Sequence, residues 1–313
     1  MAQPSCTVAI CTRNRAEFLQ TCLDGLHTSM GSDPMPILVI DNASSDRTAE
    51  VLRTYRDHIK IALEPRIGLS HARNRALAEC GTDYLVFLDD DGIPSSSWAG
   101  AVRSAIARHA PDVFGGPFVP FYRSPKKAWF ADHLGAAHTD LRDGLQPFGT
   151  CFSGGNMGWR CGLLKSFGGF DPALGIAGGR LRLGEETALQ MAMWQANPQT
   201  QFVFSAQMHM THYVSPQKMT LRYIFQRNFI YGWQLADINH DDRMLGQPSW
   251  ALARDARFGI PLIARLLIRD RRLYPYWKSF AAAYLSLHAI AVGVIVRRIS
   301  DAARFVRKGR VDL

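Results

Sequence analysis

The 313-residue chain predicts an α/β fold built on a parallel, doubly wound sheet. Three observations carry this expectation. Short apolar runs alternate with helical patterns over the first hundred residues. The last of those runs, YLVFL, is apolar throughout, as a strand covered on both faces would be. The polar clusters fall at the carboxyl ends of the runs, where sheets of this kind bind ligands.

Taken in order, TVAIC at 7–11 reads as the first strand. A helix follows over about 16–30, with Phe18, Leu19, Cys22, Leu23 and Leu26 at helical spacing. ILVI at 37–40 is the second strand, and its helix starts near Asp46, with Ser45 or Asp46 as the N-cap. A third strand at 59–63, an Ala- and Arg-rich helix at 69–80 and a fourth strand at 84–88 complete the pattern. Residues 111–184 are rich in Gly and Pro, which predicts short strands and loops. Residues 186–196 read as helix, 202–205 as strand, and the chain from about Leu221 as helical and basic. An apolar run at 279–296, interrupted by His288 and flanked by Lys278, Arg297 and Arg298, has borderline length for a membrane span.

A hydrophobic content of 47% predicts a sizeable core, and the formal charge of +9 suits a polyanionic partner. Nucleic acid, an anionic membrane surface and a phosphorylated substrate all meet that description. The six cysteines form no Cys-x-x-Cys pair and read as buried reduced thiols, with neither a zinc site nor a disulfide framework. Met1 to Ser5 lacks a basic region followed by an apolar stretch, so a cytoplasmic protein is expected. Neither a P-loop nor a Gly-x-Gly-x-x-Gly fingerprint follows the first strand, which removes the main support for ATPase and dinucleotide-binding readings.

The chemistry concentrates at three strand ends. Asp89-Asp90-Asp91 closes the fourth strand. Adjacent carboxylates repel one another and are costly near a core strand unless a cation offsets them. A hard divalent ion takes oxygen ligands and commonly bridges carboxylates to phosphates. A solvated acidic turn is the bland alternative. Asp41, at the end of the second strand, should point into the rim and can accept hydrogen bonds from a base or ribose, although a capped loop would need the same residues. Arg13, Arg15, Arg66 and Arg73 gather near the first and third strand ends, where guanidinium groups suit diphosphates, or are simply solvated.

In this order the blocks CTRNRAEFLQTCLDGL (11–26), VIDNASSDRT (39–48), EPRIGLSHARN (64–74), FLDDDGIP (87–94), FSGGNMGWR (152–160), GEET around Glu185-Glu186 and THYVSPQKMT (211–220) resemble family 2 glycosyltransferases. The resemblance implies a GT-A type doubly wound mixed sheet with a helical C-terminal extension. It places a catalytic domain over 1–221, with a nucleotide-sugar half at about 1–95 and an acceptor half at 96–221, and a basic helical region over 222–313. Thr12, Arg13 and Asp41 would meet the base and ribose with Arg73 close by, among Asn14, Arg15, Asn42, Arg66, Gly68 and Asp90. Asp91 would ligate Mn²⁺ or Mg²⁺, Asp89 would face the ribose or the metal, and His212 would complete the metal site or be structural. Gly154, Gly155 and Asn156 would let backbone approach the donor sugar closely. Trp159 would pack near the acceptor or in the core. The family's acidic pair is usually Glu-Asp; here it is Glu185-Glu186, with the base carried to Glu186 and Glu185 left open.

The expected activity is inverting transfer from a nucleotide diphosphate sugar, UDP-linked by preference, to a hydroxyl on a glycan or lipid-linked acceptor. A sugar nucleotidyltransferase competes, but CTRNR is not the Gly-rich loop it would need. A basic nucleic-acid or membrane module also competes, but carboxylates at its centre would repel a polyanion, and no nucleic-acid partner is expected. Arg254, Arg257, Arg265, Arg269, Arg271 and Arg272 interleave with apolar residues, which predicts a basic amphipathic helix lying peripherally on the inner membrane surface, or else packed helices with solvated arginines.

Overall fold

The computed structural model describes residues 4–176, 183–238 and 274–308. Two compact units emerge. The first comprises Met1–Phe121, Asp132–Arg180 and Glu185–Tyr213, and the second comprises Tyr122–Ala131, Leu181–Gly184 and Val214–Leu313.

The first unit opens as the hydrophobic pattern dictates: β1 (Cys6–Thr12), α1 (Ala16–Met30), β2 (Ile37–Asp41), α2 (Thr48–Tyr55), β3 (Lys60–Leu63), α3 (Leu69–Glu79) and β4 (Tyr84–Leu88). The helix after β2 starts later than its polar loop suggests. Exposed Asp46 accepts hydrogen bonds from the Thr48 amide and hydroxyl through one oxygen and from the Ala16 amide through the other. It therefore ties the starts of α1 and α2 together.

Next come β5 (Gly92–Pro94), α4 (Trp98–His109), β6 (Val113–Gly115), β7 (Phe118–Phe121), a short 3-10 turn at Asp132–Leu134, β8 (Gly144–Leu145), β9 (Asn156–Arg160) and α5 (Cys161–Ser166). The unit closes with α6 (Glu185–Ala196), β10 (Phe202–Phe204) and β11 (Met210–Tyr213). The main sheet runs β3-β2-β1-β4-β9-β6-β10-β8 and is mixed: β1 to β4 are parallel, whereas β9 is antiparallel to both β4 and β6. A second sheet, β5-β11-β7, pairs His212 with Gly92 in register.

Val8, Ile10, Leu19, Leu23, Leu26, Val39, Val86 and Trp98 fill the core between the main sheet and helices α1 and α4. The six cysteines are free thiols, four of them buried, with the Cys80 and Cys161 sulfurs 3.5 Å apart.

In the second unit, α7 (Leu221–Ile238) packs against α8 (Trp277–Lys308). Close approach is set by glycines: a Cβ on Gly232 would collide with the Ile290 carbonyl, and one on Gly293 with the Phe229 carbonyl. Over Trp277–Asp301, α8 is long and apolar enough, by length and composition, to cross a membrane, with mean hydropathy 1.9. Val292, Ile295, Val296 and Ile299 are exposed on it. The basic segment with Arg254, Arg257, Arg265, Arg269, Arg271 and Arg272 lies outside the described residues.

Candidate active site

The site assembles where β4 ends. Pairing of β11 with β5 lays His212 alongside the residue after β4's acidic run: the Tyr213 amide donates to the Asp91 carbonyl at 3.0 Å, and His212 Nε2 lies 3.2 Å from Asp91 Oδ1. Asp89, Asp91 and His212 each offer a ligand atom, all within 4.8 Å of one another. Two ligands at right angles around an ion with bonds of about 2.1 Å stand about 3 Å apart, so the Asp91–His212 spacing suits one shared cation. Two carboxylate oxygens and one imidazole nitrogen fit Mn²⁺ or Mg²⁺. His212 Nδ1 is buried without a hydrogen-bond partner among the described residues.

The carboxylates are held apart in role by their neighbours. Asp90 is buried and accepts from the Thr12 hydroxyl at 2.7 Å and from Arg15 Nη1 at 3.0 Å. Arg15 Nη1 also donates to Asp91 Oδ2 at 2.7 Å, leaving Oδ1 on the His212 side. Burial raises the Asp90 pKa against the pull of Arg15, with Asp91 adding to the rise. Asp89 is raised likewise, by burial and then by Asp91, against the pull of Arg73.

Behind the acidic run, the loop entering β9 comes within touching distance. The Asp89 amide donates to the Gly155 carbonyl at 3.0 Å, and a Cβ on Gly155 would fall 2.4 Å from Asp89 Oδ2. A Cβ on Gly154 would fall 2.3 Å from Arg73 Nη2. Both positions therefore require glycine for close approach. The Gly154 amide donates to Glu186 Oε1 at 3.3 Å, so the acidic run and the acidic pair border one loop.

The two members of that pair differ in environment. Glu185 is buried and accepts from Arg73 Nη1 at 2.7 Å; Arg73, also buried, lies over the Phe87 and Phe170 rings. Burial raises the Glu185 pKa, Glu186 raises it further, and Arg73 opposes both. Removing either member of a buried pair strands the other, so this contact is structural in energy. Glu186 is half-buried, and its Oε2 has no hydrogen-bond partner among the described residues.

Several sequence-based expectations need correction. Trp159 is wholly buried between β4 and β6 and meets Phe170 edge-on, so it is a core residue and no acceptor surface. Asn156 is buried and spends its amide on Trp98 Nε1 and on the Pro117 and Met208 carbonyls. Asn42, also buried, fixes the turn before α3 by bonding the Glu64 and Arg66 carbonyls and the Gly68 amide. Gly68, at φ 152, starts α3. Asp90 faces Thr12 and Arg15 where a donor contact was expected, because a buried carboxylate needs donors nearby.

The four arginines do not converge as one clamp. Arg66 grips Glu64 through two nitrogens, which holds Glu64 down at about 2, and Arg73 is committed to Glu185. Arg13 is exposed. Asp41 accepts from the Ser44 amide at 2.9 Å, and Asn14, at φ 55, accepts from the Ser45 amide at 2.7 Å. Asn14, Arg15, Ser45 and Asp46 line a cleft of about 530 Å³ beside these loops.

Two residues that sequence reasoning passed over border the site. His138 Nε2 accepts from the Ser153 amide at 2.9 Å, and Gln190 on α6 clasps the Phe152 amide and carbonyl. Gln190 follows Glu186 at helical spacing, a signal present in the sequence. His138 sits in an aperiodic stretch that offered none.

Comparison with known proteins agrees with this architecture. Residues 7–168 match the family described as Glycosyl transferase family 2. The glycosyltransferase AglE of Haloferax volcanii is 31% identical over 118 residues, 36% of this chain and 39% of that relative's length. Among solved structures, the mannosyltransferase PcManGT of Pyrobaculum calidifontis, in complex with GDP-Man and Mn²⁺, aligns over 94% of this chain and 88% of its own, with TM-score 0.60 and 17% identity. S. aureus TarS 1-349, in complex with UDP, aligns over 95% and 92%, with TM-score 0.52 and 16% identity. Structural likeness at such identities speaks for the fold, which is of the GT-A type. With the matched residues running from β1 through β9 and including the acidic run and the glycine loop, the chain belongs to glycosyl transferase family 2.

Proposed function

We propose that the protein is an inverting glycosyltransferase that moves a sugar from a nucleoside diphosphate carrier, UDP by preference, to a hydroxyl of a glycan or lipid-linked acceptor. The observation that carries this is the grouping of Asp89, Asp91 and His212 within 4.8 Å, joined through Gly155 and Gly154 to Glu186. Asp91 and His212 would hold Mn²⁺ or Mg²⁺, with Asp89 beside them. That ion, when bound, neutralises charge on the departing diphosphate.

The chain's own residues do the rest. Thr12, Arg13 and Asp41, at the ends of β1 and β2, bind the nucleoside. Arg15 adds positive charge beside the leaving group. Glu186 Oε2 takes the acceptor hydroxyl proton as the acceptor oxygen attacks the anomeric carbon, and the nucleoside diphosphate leaves from the opposite face. Glycines 154 and 155 let the loop between the two acids lie directly against Arg73 and Asp89, and backbone there would face the donor sugar.

Thermal shift and nucleoside diphosphate release, run on the full chain across UDP-, GDP- and dTDP-sugars with and without Mn²⁺, test this reading. Stabilisation and turnover with one nucleotide class, both dependent on the divalent ion, are expected. Neither effect with any sugar nucleotide would refute it.

We further place the protein on the cytoplasmic face of the membrane, attached peripherally. Exposed Val292, Ile295, Val296 and Ile299 on α8, with Lys278 and Arg298 exposed at the two ends of its apolar stretch, support that placement. Flotation with anionic phosphatidylglycerol vesicles at low salt is expected to carry the protein upward, and failure to float would contradict it.

A further inference from the structure

We propose that His138 is a positioning residue for the transfer step: it locks the loop at 152–155, which touches Glu186 on α6 and Asp89 after β4, and so holds the two acids in their working geometry. The inference rests on the assignment of Glu186 as base. Three consecutive backbone amides, of Phe152, Ser153 and Gly154, each donate to a different side chain. Phe152 donates to Gln190 Oε1 at 2.7 Å, Ser153 to His138 Nε2 at 2.9 Å, and Gly154 to Glu186 Oε1 at 3.3 Å. Gln190 and Glu186 both belong to α6 and stabilise one side of the loop. His138 reaches it from the stretch between the 3-10 turn and β8, a separate part of the chain.

The contact is built rather than incidental. His138 holds φ 57, a left-handed backbone that a histidine adopts at a cost unless its surroundings require it. Its ring meets Phe152 edge-on, and the Ser153 hydroxyl lies 3.1 Å from the same Nε2. An Nε2 that accepts an amide hydrogen must carry its lone pair, so the ring is the neutral tautomer protonated at Nδ1. Burial lowers the His138 pKa, against the pull of Asp140 and Glu186, and so keeps that acceptor available. Past Ser153 the loop leaves no slack. Gly154 abuts Arg73 and bonds Glu186, while Gly155 abuts Asp89 and bonds its amide. Releasing Ser153 would let both acids drift relative to each other, and misplacement of reacting groups by a fraction of an ångström is costly in rate.

The test compares His138→Ala with His138→Gln in the full chain, using the sugar nucleotide and divalent ion that give turnover. A glutamine can present an amide oxygen near the position of Nε2 but is not ionisable. His138→Ala is expected to lower kcat by about tenfold or more with donor KM within about threefold, and His138→Gln to recover most of the loss. A kcat for His138→Ala within about threefold of wild type would overturn the proposal. So would a joint fall in kcat, donor affinity and melting temperature that His138→Gln does not reverse, which marks a packing role only. Glu186→Gln in the same assay separates the two failures. Normal turnover there sinks the base assignment, whereas an inactive Glu186→Gln beside an unimpaired His138→Ala sinks only the positioning role.

Discussion

Replacing Glu186 by Gln is expected to lower turnover by about 10²–10⁴-fold, the range that a positioned general base supplies. Nucleoside diphosphate affinity should stay near wild type. The amide keeps an oxygen for the Gly154 amide, so the loop has no reason to move. What the variant loses is the basic oxygen at Oε2, which is buried without a hydrogen-bond partner among the described residues. Glu185 cannot substitute, because its carboxylate is buried against Arg73 at 2.7 Å and is needed to balance that cation. Steady-state release of nucleoside diphosphate, together with calorimetric titration of UDP and Mn²⁺, checks both halves. Near-normal turnover would remove Glu186 from the mechanism.

Replacing Asp91 by Asn is expected to cost about 10²-fold or more in turnover, and added Mn²⁺ should not restore it. The fold should survive. Asparagine still offers an oxygen to Arg15, and one negative charge fewer relieves Asp89 and Asp90, both of which Asp91 pushes toward protonation. A melting temperature at or above wild type, with activity lost, is the expected combination. Activity at the wild-type level would show that the cluster of Asp89, Asp91 and His212 does not serve the reaction.

The sequence made the first hundred residues of the fold readable because most strands there are continuous apolar runs with polar residues at the carboxyl end. TVAIC, ILVI and YLVFL all became strands β1, β2 and β4, and the acidic run stands where YLVFL stops. Less legible was whatever depends on long-range pairing between short segments. β5 and β11 are too brief to show periodicity, yet their pairing brings His212 to Asp91. Helix α4 hid behind a serine-rich start, although Trp98, Ala99, Val102, Ala105 and Ile106 face the core at helical spacing. Side-chain commitments were also hidden. Residue type allowed Asn42, Asn156, Asp90 and Trp159 to contact ligand, and only burial and partners assign them to the scaffold. Residue type was equally silent on the Glu185-Glu186 pair, whereas the structure shows Arg73 engaging Glu185, which supports Glu186 as the proposed base.

The division of labour between the two acids can be read in one experiment, an electron paramagnetic resonance titration of Mn²⁺ in the presence of UDP. Glu186→Gln should bind the Mn²⁺–UDP complex as wild type does while turning over poorly, and Asp91→Asn should leave the manganese signal that of the free ion. Equal manganese binding by wild type and Asp91→Asn would contradict the assignment at its root.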